Sequence, residues 1–319
     1  MCKIESSLIS ICIPTYNRSS SLKIILPELI SIVDKYNFQI LIVDNASSDA
    51  TKEVVDDFKK IYNEITYYRQ DENVGADKNF ETALCLSKSK YAWLLGDSNI
   101  ICKDELATVL DILQSGKHAA VMVNSANRVK NIPSQVFSDP TRLLQSVGWH
   151  MTLLCSIIFS RSLIENASFK RYYNSNFIQT GIVFEYIVTN PVTSYWYAGN
   201  AVIGLKKRSG WVTDVLLVFA QRWTLFVLSL PPSIPLDVKL NCIKDHGIKS
   251  GLFSLTNLIS FRMNGHITKH IYTKYKKYLF YNTNILTYII FYLLMLIPLN
   301  IFWDEKRIIN WCRIKYRKP

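Results

Sequence analysis

Two aspartates carry the most informative chemistry in this sequence. Asp44 follows the apolar run Gln39–Val43, and Asp97 follows Tyr91–Leu95 and Gly96. Hydroxyl and amide side chains surround both: Asn45, Ser47, Ser48 and Asp49 beside the first, Ser98 and Asn99 beside the second. A third polar cluster, Thr15, Tyr16 and Asn17, follows the apolar run Leu8–Ile13 and Pro14. Carboxylates in such company can hydrogen-bond a nucleoside and hold a divalent cation, because Mg2+ and Mn2+ take oxygen ligands and bridge carboxylates to substrate phosphates. Other chemistries lack their residues. There is no GxGxxG after the first apolar run and no GxxxxGK[ST], so neither a dinucleotide fingerprint nor a P-loop is present. The seven cysteines are scattered without a CxxC, and the five histidines form no pair at metal spacing. The thiols have no activating neighbour in sequence and are given no chemistry; they suit a reduced, cytosolic protein. No apolar leader is expected at the N-terminus.

These clusters need a scaffold that brings them together. The three apolar runs are short, continuous and rich in β-branched or aromatic residues, as in strands buried on both faces of a parallel sheet. Between them, helical spacing recurs. Ser19–Tyr36 has apolar residues at 22, 25, 26, 29, 30 and 33, Thr51–Tyr62 has Val54, Val55, Phe58 and Ile61, and Ala76–Ser87 has Phe80, Ala83, Leu84 and Leu86. Alternating strands and helices predict an α/β domain with a mostly parallel central sheet, whose ligands bind beyond the carboxyl ends of the strands. That edge is where the three polar clusters fall.

With those residues in place, the chain resembles family 2 glycosyltransferases of the GT-A fold. The resemblance rests on ISICIPTYNR (residues 9–18), ILIVDNASSDAT (40–51), NVGADKNF (73–80) and WLLGDSN (93–99), which fall in the family's order and spacing over roughly the first 110 residues. Beyond about residue 120 there is only a loose similarity to bacterial transferases that build surface polysaccharides, such as O-antigen or capsule. The resemblance implies that Pro14, Thr15, Tyr16 and Asn17 line a nucleotide pocket. It implies that Asp44 bonds the base, with Asn45, Ser47 and Asp49 shaping that loop. Asn73, Gly75, Lys78 and Asn79 would lie beside the nucleotide and donor sugar. Asp97 would contact the ribose or a metal, and Asn99 falls at the metal-ligand position. The family usually has D-x-D or D-D-D there, and this chain has Asp97-Ser98-Asn99. An amide oxygen can ligate a hard cation but brings no charge, so a weakly held Mn2+ or Mg2+ is expected.

The implied reaction breaks the bond between an anomeric carbon and a diphosphate, with inversion in one displacement. The donor would be a nucleotide-diphospho-sugar, a UDP-sugar by preference, and the acceptor a hydroxyl on a lipid-linked or oligosaccharide glycan. Charge growing on the leaving phosphate needs a cation, and the attacking hydroxyl needs a carboxylate base. Residues 121–235 offer only Asp139, Glu165, Glu185 and Asp214 as bases. Glu185, in NFIQTGIVFEYI, is preferred, with Asp214 next. Two rival functions remain: an inactive homologue that scaffolds a polysaccharide assembly complex, motivated by Asn99, and a nucleotidyltransferase, for which Pro14-Thr15-Tyr16-Asn17 is a poor phosphate loop. Plainer roles compete at single residues as well. Asp44 and Asn45 are good helix N-caps, and Asn73 and Gly75 suit an ordinary turn. His150 reads as a core histidine, and Tyr195-Trp196-Tyr197 as strand packing.

Charge divides the chain. The whole carries +12, yet residues 1–120 hold 13 Lys+Arg against 17 Asp+Glu, and the remainder is strongly basic. A basic half suits an anionic partner. Ile285–Trp303 is uncharged over 19 residues, and at ~1.5 Å per residue it would reach ~28 Å as a straight helix, just short of a ~30 Å hydrocarbon core. Lys269, Lys274, Lys276 and Lys277 precede it, and Lys306, Arg307, Arg313, Lys315, Arg317 and Lys318 follow. Positive flanks on both sides predict a re-entrant or in-plane helix on the cytoplasmic leaflet rather than a span. A polyprenyl diphosphate carrier would be drawn to the same surface. No nucleic-acid motif is present, so nucleic acid is not expected as a partner. Val215–Pro231 reads as a buried helix with Arg222 facing the site. The expected organisation is a nucleotide-sugar-binding half (1–120), an acceptor-side half (121–240) and a basic helical membrane-associating appendage (241–319), at the inner face of the cell membrane.

Overall fold

A computed structural model describes residues 7–204 and 210–297. Among them the chain divides into two compact units, residues 7–204 with 228–239, and residues 210–227 with 240–297. In the first unit the strands are β1 (Ile9–Thr15), β2 (Gln39–Asp44), β3 (Ile65–Arg69), β4 (Tyr91–Leu94), β5 (Asn99–Ile101), β6 (His118–Ser125), β7 (Gln135–Phe137), β8 (Ile157–Ser160) and β9 (Thr193–Gly204). The helices there are α1 (Ser19–Val33), α2 (Thr51–Lys59), α3 (Ala76–Leu86), α4 (Lys103–Gln114), α5 (Pro140–Leu143), α6 (Arg161–Glu165) and α7 (Ile178–Thr189). The strands form one sheet in the order β3-β2-β1-β4-β8-β6-β9-β5, with β7 also paired to β9. β1 to β4 run parallel, β8 runs antiparallel between β4 and β6, and β6 and β9 are parallel again. The carboxyl ends of β1, β2, β4, β6 and β9 therefore share one edge of the sheet.

The predicted alternation is present, with two differences. β3 (ITYYR) is an additional strand at the sheet edge, where only Ile65 is buried. It lacks a continuous apolar run, so only its β-branched and aromatic content marks it. Pro14 does not end the first strand, which continues to Thr15. The Cys12 carbonyl accepts from the Leu95 amide, so Cys12 and Pro14 face β4. β4 stops pairing at Cys12, and the missing N–H of Pro14 costs no ladder bond.

Apolar positions explain the packing. Ile9, Ile11 and Ile13 of β1 share a buried cluster with Leu22, Ile25, Leu26 and Leu29 of α1, Val54 and Val55 of α2, and Leu106, Val109 and Leu110 of α4. Trp93 of β4 is wholly buried, and its indole donates to the Cys155 carbonyl at 2.9 Å.

In the remainder of the chain, α8 (Trp223–Ser229) and α9 (Leu236–Lys249) each begin in one unit and end in the other. The second unit also holds α10 (Leu255–Met263), α11 (Lys269–Asn282) and α12 (Ile285–Leu296). A Cβ on Gly247 would run into the Asn282 carbonyl oxygen, so α9 and the end of α11 touch through backbone. Within the apolar stretch from Val215, residues Leu217–Arg222 form a wide π-helical turn before α8, and Arg222 belongs to the second unit. No helix among the described residues is long and apolar enough to cross a membrane. α12 covers only part of the 285–303 stretch, and residues 298–319 lie outside the described residues, as do the basic positions beyond Trp303.

Candidate active site

The site is built on turns that follow parallel strands. β2 ends at Asp44, whose carboxylate is completely buried. One oxygen accepts from the Ser47 amide at 3.0 Å and the Ser47 hydroxyl at 2.5 Å. The other accepts from the Tyr67 hydroxyl at 2.6 Å and faces Arg69 Nε at 3.7 Å. Tyr67 and Arg69 sit on β3, which pairs in register with β2, Arg69 opposite Asp44. Burial, followed by the Asp44 carboxylate, raises the Tyr67 hydroxyl well above its ordinary pKa. Ala46 then takes a left-handed φ of 63°, uncommon for alanine, and so turns the Ser47 amide back onto Asp44. Asp44 thus organises its own loop, with donors from β3 that its local sequence does not supply.

The β1 turn is laced to this loop. The Asn17 amide donates to the Ser47 hydroxyl at 2.7 Å, and Asn17 Oδ1 accepts from the Ser48 amide at 2.8 Å. Asp49 accepts from the Ser19 amide and from Thr51. Burial pushes the Asp49 carboxyl up, but these hydrogen bonds outweigh it and hold the pKa below its ordinary value. Tyr16 is left exposed at the rim. Thr15 reaches the other way, and its hydroxyl donates to Asp97 Oδ2 at 3.2 Å. Arg18 Nε lies 3.8 Å from the same oxygen. The three polar clusters therefore meet, as expected, at the carboxyl ends of β1, β2 and β4.

The 73–79 segment closes the side of the β2 loop. Asn45 and Asn73 bond through their amides at 2.9 Å, and Asn45 Oδ1 accepts from the Val74 amide at 2.9 Å. Gly75 adopts φ 83° and ψ 165°, a region essentially restricted to glycine, at the start of α3. Asn79 is buried and donates to the Val43 carbonyl at 3.0 Å. Lys78 is exposed, with its ammonium 5.6 Å from the Tyr173 ring centroid. Asn99 opens β5, and its side chain folds back over Gly96.

Sequence reasoning gave no role to Arg18, Tyr67 or Arg69. Arg18 closes the first motif and could have been found there. Tyr67 and Arg69 depended on recognising β3. Glu185 lies on α7, where its carboxylate accepts from the Tyr172 hydroxyl at 2.8 Å and pairs with Arg171 at 3.5 Å. No described contact joins it to the Asp44 or Asp97 turns. Asp214 belongs to the second unit. His150 is fully buried, bonded to the Val123 carbonyl, and Trp196 is fully buried with its indole on the Ile132 carbonyl, so both take packing roles.

The site's oxygen donors suit a hard cation in part. Asp97 and Asn99 offer one carboxylate and one amide, and Arg18 already balances Asp97. Among the described residues no group of three or more His, Cys, Asp and Glu converges on a metal position.

Residues 10–164 match the description Glycosyl transferase family 2. This region is a family 2 glycosyltransferase domain. The chain is also 40% identical over 111 residues to abequosyltransferase RfbV of Salmonella typhimurium, a match covering 34% of this chain and 33% of that protein, so it spans about a third of that relative's length. Glycosyltransferase GlyG of Streptococcus pneumoniae is 20% identical over 76% of this chain and 88% of its own. Among solved structures, S. aureus TarS (residues 1–349) in complex with UDP superposes with a TM-score of 0.57 at 14% identity, covering 85% of this chain and 78% of that one. The Pyrobaculum calidifontis mannosyltransferase PcManGT, in complex with GDP-Man and Mn2+, gives 0.52 at 13% identity, covering 90% and 86%. These likenesses establish the GT-A fold of the family 2 domain.

Proposed function

We propose that this chain transfers a sugar from a nucleotide-diphospho-sugar, a UDP-sugar by preference, to a hydroxyl of a lipid-linked or oligosaccharide acceptor in bacterial surface polysaccharide biosynthesis. The observation that carries the proposal is the junction of Thr15, Arg18 and Asp97 beside the laced Asn17–Ser47 loop, at the carboxyl edge of a family 2 domain. The abequosyltransferase likeness directs the substrate class towards O-antigen glycans. The nucleotide lies along the β1 and β2 turns, with Tyr16 and Asn17 against the base. Asp44, expected from the resemblance to bond the base, is wholly buried with its two oxygens engaged by Ser47 and Tyr67, and in this proposal it fixes that wall instead. Asp97 meets the ribose or diphosphate, and Asn73, Gly75, Lys78 and Asn79 form the flank on the donor-sugar side.

Asp97 and Asn99 would hold Mn2+ or Mg2+ together with the substrate's own phosphates, and such an ion supplies electrostatic stabilisation of the leaving diphosphate. Arg18 adds a fixed positive charge at the same place. Displacement at the anomeric carbon inverts its configuration, and the acceptor proton goes to a carboxylate, for which Glu185 remains the proposed base. That role requires the Glu185 carboxylate to exchange its Tyr172 and Arg171 partners for the acceptor.

The second unit supports a place on the cytoplasmic leaflet of the cell membrane. On α12, Ile285, Leu286, Ile289, Tyr292, Leu293 and Leu296 are all exposed, at helical spacing along one face. Lys269, Lys274, Lys276 and Lys277 lie on α11 just before it. Apolar side chains backed by cations fit an anionic lipid surface, where each basic residue contributes about 1 kcal/mol.

The deciding assay mixes purified protein with UDP-, GDP-, dTDP- and CMP-sugars, with and without Mn2+, and reads released nucleotide. Release from one donor, lost in Asp97→Ala, is the expected result. No release together with no nucleotide binding by calorimetry would remove the proposal. Binding to vesicles containing anionic lipid, lost on replacing the four α11 lysines by Gln, tests the membrane reading.

A further inference from the structure

One cation near this site, Arg128, has no counter-charge among the described residues. Arg128 ends a tight turn after β6, in which Ala126 (φ 54°) and Asn127 (φ 49°) are both left-handed and the Arg128 amide donates to the Ser125 carbonyl at 3.2 Å. Two successive positive φ angles define a type I′ turn, and alanine in the first of them is strained. The Arg128 guanidinium carbon lies 5.1 Å from the Trp149 ring centroid. Its Nη1 is buried and has no hydrogen-bond partner, and the same is true of Trp149 Nε1 and His150 Nδ1 beside it. Two of these three unpartnered groups are donors. Arg18, Arg69 and Arg171 each lie beside a carboxylate, and Arg128 has no such pair among the described residues.

The surrounding groups are neutral. Burial, then the Arg128 charge, pushes the His150 pKa down to about 3, and burial raises the Cys155 thiol to about 11. Burial also brings Arg128 itself down to about 10. A partly buried cation without an anion is costly unless a ligand brings one.

The topology says where that ligand lies. β4 and β6 point the same way with only β8 between them, so their carboxyl ends are about 10 Å apart at ~4.8 Å per strand. One stretch of β9 carries both turns: Gly204 pairs with Asn99, the Val202 carbonyl accepts from the Ala126 amide, and Asn200 Oδ1 accepts from the Asn127 amide. On the transferase reading, with the nucleotide along the β1 and β2 turns and the reacting centre at Asp97 just after β4, β6 lies on the far side of the transferred sugar.

We propose that Arg128, held against Trp149 at the end of β6, forms an anion subsite on the acceptor side that takes a phosphate oxygen of the acceptor. The inference rests on the transferase reading above. A planar guanidinium suits a phosphate with two parallel N–H donors.

The test uses the full wild-type chain saturated with the nucleotide found to bind. Phenylglyoxal modification of Arg128 is followed by peptide mass spectrometry, with exposed Arg142 as the internal control. Inorganic pyrophosphate, a hexose 1-phosphate and geranyl diphosphate are the probes. The expected result is at least fivefold slower modification of Arg128, and not of Arg142, with one or more of them. Protection by geranyl diphosphate alone names a lipid carrier, and equal protection by all three names the phosphate group itself. Both support the subsite. An Arg128 rate unchanged by every probe overturns it, as does full protection by nucleotide alone. Arg128→Gln should weaken the protecting probe at least tenfold while nucleotide affinity stays within twofold, and Arg128→Lys should fall between. If the wild type binds no nucleotide, the transferase reading fails instead, and pyrophosphate protection of Arg128 is still measured on its own.

Discussion

Tyr67→Phe tests whether a residue on β3 holds the Asp44 loop. The hydroxyl donates to a wholly buried carboxylate at 2.6 Å, and phenylalanine fills the same space without it. A hydrogen bond to a charged group contributes about 1.5–3 kcal/mol. Asp44 keeps both Ser47 donors, while the Arg69 side chain is 45% exposed and 3.7 Å away, so its ion pair adds little. We therefore expect a loss of about 2 kcal/mol, a roughly thirtyfold rise in the unfolding constant. Urea denaturation followed by tryptophan fluorescence measures it. Ser47→Ala removes a donor to the opposite oxygen, and the double variant should lose an amount different from the sum, because both bonds share one carboxylate. A Tyr67→Phe protein with the parent's urea midpoint and slope would refute the reasoning. So would a double variant whose losses simply add.

Three further outcomes follow from the packing. Gly247→Ala should destabilise the protein by about 3 kcal/mol, because the new methyl meets the Asn282 carbonyl rather than a movable side chain; an unchanged melting temperature would count against that contact. The unfolded chain protonates His150 near its ordinary 6.5, and the folded chain only near 3. Stability carried by His150 is thus complete above about pH 6.5 and falls as pH drops towards 3, by several kcal/mol at ~1.4 per unit. A pH–stability curve should lose that slope in His150→Gln and keep its plateau above pH 7. Cys12, Cys155 and Cys242 are buried, and burial raises all three thiols. Among the described cysteines, maleimide should therefore label exposed Cys85 first in native protein and reach those three only on unfolding, as mass spectrometry of the labelled peptides would show.

Much of the nucleotide-side fold was legible because its signals are local. Continuous apolar runs at Leu8–Ile13, Gln39–Val43 and Tyr91–Leu95 required strands buried on both faces, and the helical spacing between them required crossovers. A parallel sheet follows from that alternation, and with it a single edge where Thr15, Asp44 and Asp97 must lie. β3 escaped because an edge strand needs no continuous apolar run. Glu185 drew attention because carboxylates are few between residues 121 and 235, yet scarcity does not say which partner a carboxylate meets. In the structure it meets Tyr172 and Arg171.

The sequence by itself determined the order of elements and which polar residues end each strand, since both depend on neighbours a few positions apart. Only the tertiary structure decided their partners. Tyr67 and Arg69 reach Asp44 because β3 pairs in register beside β2, and Arg18 faces Asp97 because β1 lies beside β4. Arg128 has no carboxylate partner among the described residues and lies instead against the Trp149 indole, near the neutral His150 imidazole and the Cys155 thiol. Pairing across strands joins residues tens of positions apart, and no local period in the chain encodes which of them will meet.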